Sequence, residues 1–204
     1  MNPNVRWLPN SRNGGKMFRK QFAAIIFTVL VITAPGNSEE IGGINMPESL
    51  QTGQTQLMLN GAGVREKFFI DVYVGGLYLK EKNQDPTAII EADEPMAVRL
   101  HIISSMVTSK KMEKAWREGF EKATAGNIEP IKVQIEEFIS VFKEEIKEND
   151  SYDLIYVPGK GVQVSKNSEF RSAIGGLPFK KALFGIWLSE KPAQKSLKKA
   201  MLGE

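Results

Sequence analysis

The chemistry open to this chain is limited by what it lacks. There is no cysteine, so disulfides, thiolate metal sites and a cysteine nucleophile are excluded. The single histidine, His101, cannot build a His–His metal site, and a Ser–His–Asp triad would depend on it alone. Beside Arg99 in an alternating segment, it suits a structural or solvent-facing role better than general base work, which needs a partner within hydrogen-bond reach. Gly159-Lys160-Gly161 reads as a hairpin turn, because the spacing and the serine or threonine of a phosphate-binding loop are missing. Arg65 is the most suggestive charge. It follows the glycine-rich segment Asn60-Gly61-Ala62-Gly63, where a guanidinium either anchors a carboxylate or phenolate or pairs with Glu66 or Asp71. Lys195, Lys198 and Lys199 can touch a membrane surface, but lysines near a helix C-terminus also suit the helix dipole.

Composition narrows the class further. With 204 residues, 42% hydrophobic and 25% charged, the chain is expected to form one globular domain. Its net charge of +3 is misleading, because residues 1–38 hold five basic residues and no acid, leaving 22 basic and 24 acidic residues in 39–204. A domain so balanced has no electrostatic footprint for nucleic acid. Residues 22–34 form a 13-residue apolar run after Arg19 and Lys20, broken by Pro35-Gly36-Asn37-Ser38. That is the length of a signal-peptide core rather than of a bilayer span, which needs about 20 residues. The expectation is an extension and cleaved leader over 1–38, a single domain over 39–204 and a periplasmic address. A retained anchor is the alternative, and no stable membrane insertion is expected after cleavage.

The elements that must position Arg65 are read from periodicity. Asn60–Gly63 is expected to be a turn at positive φ. Val64 to Lys80 reads as one long strand, with a bulge or bend at Gly75-Gly76. Its Phe68, Ile70, Val72 and Val74 are wholly apolar and are expected to face the helices. Asp85-Pro86 opens a short helix, and Met96–Ile103 is a strand burying Val98, Leu100 and Ile102. Thr108 or Ser109 can cap a helix running to about Ala125. Ile131, Ile135, Phe138, Phe142 and Ile146 form one stripe on a helix of some four turns. A meander follows: Tyr152–Val157, then Val162 and Val164, a tight turn at Asn167-Ser168, and Phe170–Ile174. Helices over 178–188 and 192–202 close the chain, the second capped by Ser189, with Trp116 and Trp187 on apolar stripes. Strands and helices do not alternate as βαβ units, so the fold class is α+β with helices gathered on one side of an antiparallel sheet.

Several segments together resemble the chalcone isomerase-like family: Leu59-Asn-Gly-Ala-Gly-Val-Arg65, Tyr73-Val-Gly-Gly-Leu-Tyr78-Leu79, Trp116-Arg-Glu-Gly119-Phe120, Phe179 to Leu188, and Leu197 to Gly203. The match covers nearly all of 41–203 and looks most like an exported bacterial branch. It implies an open-faced β-sandwich, a large antiparallel sheet with a helical layer, and a ligand cleft between them. It also implies that Arg65 holds the ligand, that Tyr73 stands where the plant enzymes carry a strand threonine, and that Thr108 stands where they carry a helix-start tyrosine. An enolate needs donors fixed where charge develops, and losing one costs about 10²–10³-fold in rate. The expected function is therefore a non-catalytic binder of a small amphipathic anion such as a fatty acid, with ligand-binding Arg65, Tyr73 and Thr108 and neither metal nor organic cofactor. An isomerase of intramolecular-lyase type, and a structural domain whose cleft is filled by its own side chains, are the rivals.

Overall fold

Alternating apolar and polar residues build the main sheet, and helices bury one of its faces. The computed structural model describes residues 38–204. The leader expected over 1–38 lies, but for its last residue, outside them. Strands β1 (Ser38–Ile41) and β2 (Ile44–Pro47) pair as a small hairpin. Strands β3 (Ser49–Thr52), β4 (Thr55–Lys67), β5 (Ile70–Leu79), β6 (Met96–Ile102), β7 (Ser151–Val157), β8 (Gly161–Lys166) and β9 (Glu169–Ile174) form one sheet in chain order, antiparallel throughout. Between them lie α1 (Pro86–Glu91), α2 (Ser109–Ala123) and α3 (Lys132–Ser140); α4 (Leu177–Leu188) and α5 (Lys195–Met201) complete the layer. This is the expected α+β architecture: an open, curled antiparallel sheet with helices against it.

The two faces of the sheet carry separate cores. Tyr73, Leu77, Val98, Leu100, Ile102, Leu154 and Val164 pack with the helices. Val74, Tyr78, Ala97, Leu57 and Leu59 form a smaller cluster on the other face, closed by Met46 of β2. The face expected to meet the helices is thus reversed at Val74. A bulge is the cause. Arg65 pairs with Tyr73 and Glu66 with Asp71, leaving Val72 as an extra residue. Val72 and Tyr73 both pack on the helix side, and the alternation then resumes with Val74 outward. The extended run over 64–80 is also not one strand: it turns back at Phe68 and Phe69, where Lys67 pairs with Ile70.

Asn60–Gly63 is not a turn but mid-strand β4. A Cβ on Gly61 would stand 2.1 Å from the Ala200 carbonyl oxygen, and one on Gly63 would stand 2.6 Å from the Ala200 methyl. These glycines let α5 lie directly on the strand backbone. Asn60 is the extra residue of a second bulge, and its buried amide is fully used. It donates to Asn83 O at 3.0 Å and Met201 O at 2.9 Å and accepts from Asn83 N at 2.8 Å. Gly75 and Gly76 are paired in register with no bulge; Gly76 makes room for the Met46 methyl, which an added Cβ would meet at 2.6 Å.

Three further readings change. The helix expected to carry Ile131 to Ile146 is one 3₁₀ turn, α3 and a second 3₁₀ turn ending at Lys143, so Ile146 reaches the core from a loop. Ser189 caps the end of α4 rather than opening the last helix, which starts at Lys195. The buried Lys180 of α4 donates to the carbonyls of Ile89, Ile90 and Ala92 at 2.7, 2.8 and 2.7 Å, satisfying the end of α1. Desolvation brings its ammonium down to about 8. Trp187, 1% exposed, anchors the layer, and truncating such a side chain costs about 3–5 kcal/mol.

Candidate functional site

At one end of β4 and β5 a cation and a phenol meet under the helices. Arg65 and Tyr73 are direct cross-strand partners, and on antiparallel strands such partners share a face. Tyr73 is buried, and its hydroxyl oxygen accepts the indole N–H of Trp187 at 3.0 Å. Burial pushes this phenol above its ordinary range, while the Trp187 N–H and the Arg65 charge pull it down less strongly. It is therefore a proton donor near neutrality, not a base. Among the described residues no acceptor takes its proton.

Arg65 is half-buried and joins no ion pair among the described residues, so neither Glu66 nor Asp71 holds it as a salt-bridge partner. Its Nη1 donates to Gln194 Oε1 at 2.9 Å and to the Glu66 carbonyl. The same Gln194 oxygen accepts the Glu66 backbone N–H at 2.9 Å. Gln194, in the segment between α4 and α5, thus fastens α5 to the strand end that carries Arg65. Sequence reading missed it because a polar residue before a short helix carries no distinctive pattern. Trp187 was legible only as a core aromatic.

Thr108 stands apart from this pair in role. It is exposed, and its hydroxyl accepts the Lys111 N–H at 3.3 Å as the N-cap of α2. His101 lies on the opposite face, since its strand neighbours Leu100 and Ile102 point to the helices, and its buried Nε2 has no partner among the described residues. Among the described residues no cluster of carboxylates and histidine could hold a metal ion.

The cleft that the resemblance implies is filled here. Trp116 packs edge-on against Trp187 with centroids 5.8 Å apart, and against Phe138 at 4.9 Å. Phe142 and Tyr152 continue the aromatic column at 4.8 Å. Trp116 Nε1 is buried in this column with no partner among the described residues. Two surface depressions lie on the helices, one over α2 and α3 and one lined by Ile90, Thr124, Pro178 and Gly185; Arg65, Tyr73 and Thr108 line neither.

A meander sheet with an arginine–tyrosine pair beneath a helical layer defines an α+β scaffold of the open-faced type. Residues 38–203 match the chalcone isomerase-like family, and the chain belongs to it. No curated protein sequence matches. Among solved structures, the fold resembles the Arabidopsis thaliana fatty-acid binding protein AtFAP1, with a TM-score of 0.62 and 20% identity over 78% of this chain and 92% of that one. At that identity the likeness is one of fold. Among the described residues no helix is long and apolar enough to cross a membrane.

Proposed function

We propose that the chain is an exported, non-catalytic binder of a small amphipathic anion, fatty acid-like, whose carboxylate docks on Arg65 and Tyr73. One observation carries this reading: among the described residues, a guanidinium outside any ion pair sits beside a buried phenol whose proton has no acceptor. Two convergent donors, one charged, suit a carboxylate. The head group would replace the Gln194 oxygen on Nη1, exchanging a neutral acceptor for a charged one that bonds roughly twice as strongly. The tail would run between sheet and helices, so Trp187 and the 189–194 segment must shift to admit it. That AtFAP1 is a fatty-acid binding protein supports the ligand class.

Turnover is disfavoured because the donor set is short. The exposed Thr108 is engaged in capping α2, which leaves Arg65 and Tyr73 as the convergent donors. Native mass spectrometry of protein from its own source, with dodecanoate titrated into delipidated protein, tests the binding. Arg65→Ala is expected to weaken dodecanoate about 10–100-fold, the worth of a charge-assisted bond. Gln194→Glu is expected to weaken it too, by placing a carboxylate on Arg65 within the chain. Wild-type protein that takes up no dodecanoate, or an unchanged Arg65→Ala, would sink the reading, and chalcone closure at an enzymatic rate would sink its non-catalytic part. Export is tested by N-terminal sequencing of the mature protein, expected to begin near Asn37 or Glu39.

A further inference from the structure

The β4–β5 hairpin tip is built against local preference. Lys67 pairs with Ile70, so the loop is only Phe68 and Phe69, both with positive φ, 52° and 62°. Two-residue hairpins of this kind favour Asn-Gly, because positive φ crowds a side chain against the backbone. Bulky aromatics there are outliers, and strain at a surface position points to a use outside the fold. Neither ring contributes to the core: Phe68 is 83% exposed and Phe69 97%.

The surroundings give the tip a direction. Ile103 N donates to Val72 O at 3.2 Å, so the loop after β6 lies at the same end of the sheet, and it carries Met106, 53% exposed. Lysines flank these apolar side chains. Lys67 Nζ lies 5.9 Å from the Phe68 ring centre, and Lys111 Nζ donates to the Met106 carbonyl at 2.9 Å. Glu66 and Asp71 form the rung behind Lys67 and Ile70, two residues back from the tip.

We propose that this end of the sheet docks on a lipid bilayer, with Phe68, Phe69 and Met106 entering the interface and Lys67 and Lys111 meeting the head groups. The area argues for a membrane over a protein. At about 200 Å² for a fully exposed side chain, the two rings and the half-exposed methionine offer about 450 Å², little more than half of the about 800 Å² that each partner of a stable protein–protein interface buries. A few protruding apolar groups ringed by lysines suit an interface where apolar parts sink about 5–10 Å and ammonium groups stay wet. Glu66 and Asp71 stand two residues behind the tip, about 7 Å at about 3.3 Å per residue, so their carboxylates meet the wet head-group layer rather than the acyl chains. Insertion is driven by apolar contact, so phosphatidylcholine alone suffices and anionic lipid adds a modest gain. Arg65 lies three residues before Phe68 in the chain, near the end of β4, which sets the proposed anion site close to a source of amphipathic ligands. The docking itself does not depend on that site.

The test is co-sedimentation of the purified protein with phosphatidylcholine vesicles, with and without phosphatidylglycerol. Phe68→Asn combined with Phe69→Gly installs the preferred turn, so it is expected to fold at least as well as wild type. It is expected to lose vesicle partitioning by about tenfold or more, as the removal of two inserted rings requires. Met106→Ser is expected to lose part of it. Three results would overturn the proposal: wild-type protein that stays in solution with both vesicle types, a double variant that sediments like wild type, or a wild-type dimer in sedimentation equilibrium that the double variant abolishes. Binding that needs phosphatidylglycerol, vanishes in salt and ignores the double substitution would overturn it as well.

Discussion

Two tight turns at the same end of the sheet share a backbone shape and differ in everything else. Phe68–Phe69 joins β4 to β5, and Asn167–Ser168 joins β8 to β9, where Lys166 pairs with Glu169. All four residues have positive φ, with Asn167 at 51° and Ser168 at 68°. In the second turn the side chain supports the shape. Asn167 Oδ1 accepts the Ser151 N–H at 2.8 Å, and its Nδ2 donates to Asp150 Oδ1 at 2.8 Å. Asp150 is itself buried, held by the Lys147 N–H at 2.8 Å and paired with Lys166 at 3.0 Å. The first turn has no such support and shows its rings to solvent. One turn holds the fold together; the other carries strain that the fold does not use.

Exchanging their residues is the severest test of this contrast. Asn167→Phe with Ser168→Phe removes both amide bonds and puts bulky side chains at positive φ, and is expected to lower unfolding free energy by about 3–5 kcal/mol in urea titration. Asn167→Ala alone should cost about 2 kcal/mol, chiefly through the bonds lost at Ser151 and Asp150. The reverse repair, Phe68→Asn with Phe69→Gly, should raise stability by about 1–2 kcal/mol, the strain relieved exceeding the added chain entropy. If that repair destabilises the protein, the first turn is not strained and the contrast fails.

The smallest effect is in acid. Burial works against ionisation of Asp150, but the bonds from Lys147, Asn167 and Lys166 outweigh it and hold the carboxyl below its ordinary range. A carboxylate whose pKa is lowered by folding contributes stability above its unfolded pKa, about 3.9, and loses it as pH falls through the lowered value. Stability lost on acidification below about pH 4 is therefore expected to be smaller in Asn167→Ala than in wild type, read from urea midpoints across that range.

The same contrast marks how far the sequence could be read. Asn167-Ser168 announced its turn because those side chains tolerate positive φ and bond locally. Phe68-Phe69 was absorbed into a strand because aromatics favour extended backbone, and nothing local shows that the chain reverses there. The glycines at 61 and 63 misled in the opposite sense: they suggested a turn, while their use is to admit α5 at backbone distance. Of the site, Arg65 and Tyr73 were both found through the family resemblance, on what read as a single strand. Their pairing depended on the bulge at Val72, which no period reveals. Gln194, 129 residues from Arg65 in the chain, had no signal at all.

By itself the sequence determined the class of the fold, most of the elements and the family, because hydrophobic period and turn chemistry are local and survive in one dimension. Tertiary structure alone decided which face of β5 meets the helices, which side chains fill the space beneath them, and which glutamine reaches the arginine. Those outcomes rest on bulges and on contacts between distant segments, and they are fixed only when the chain packs against itself.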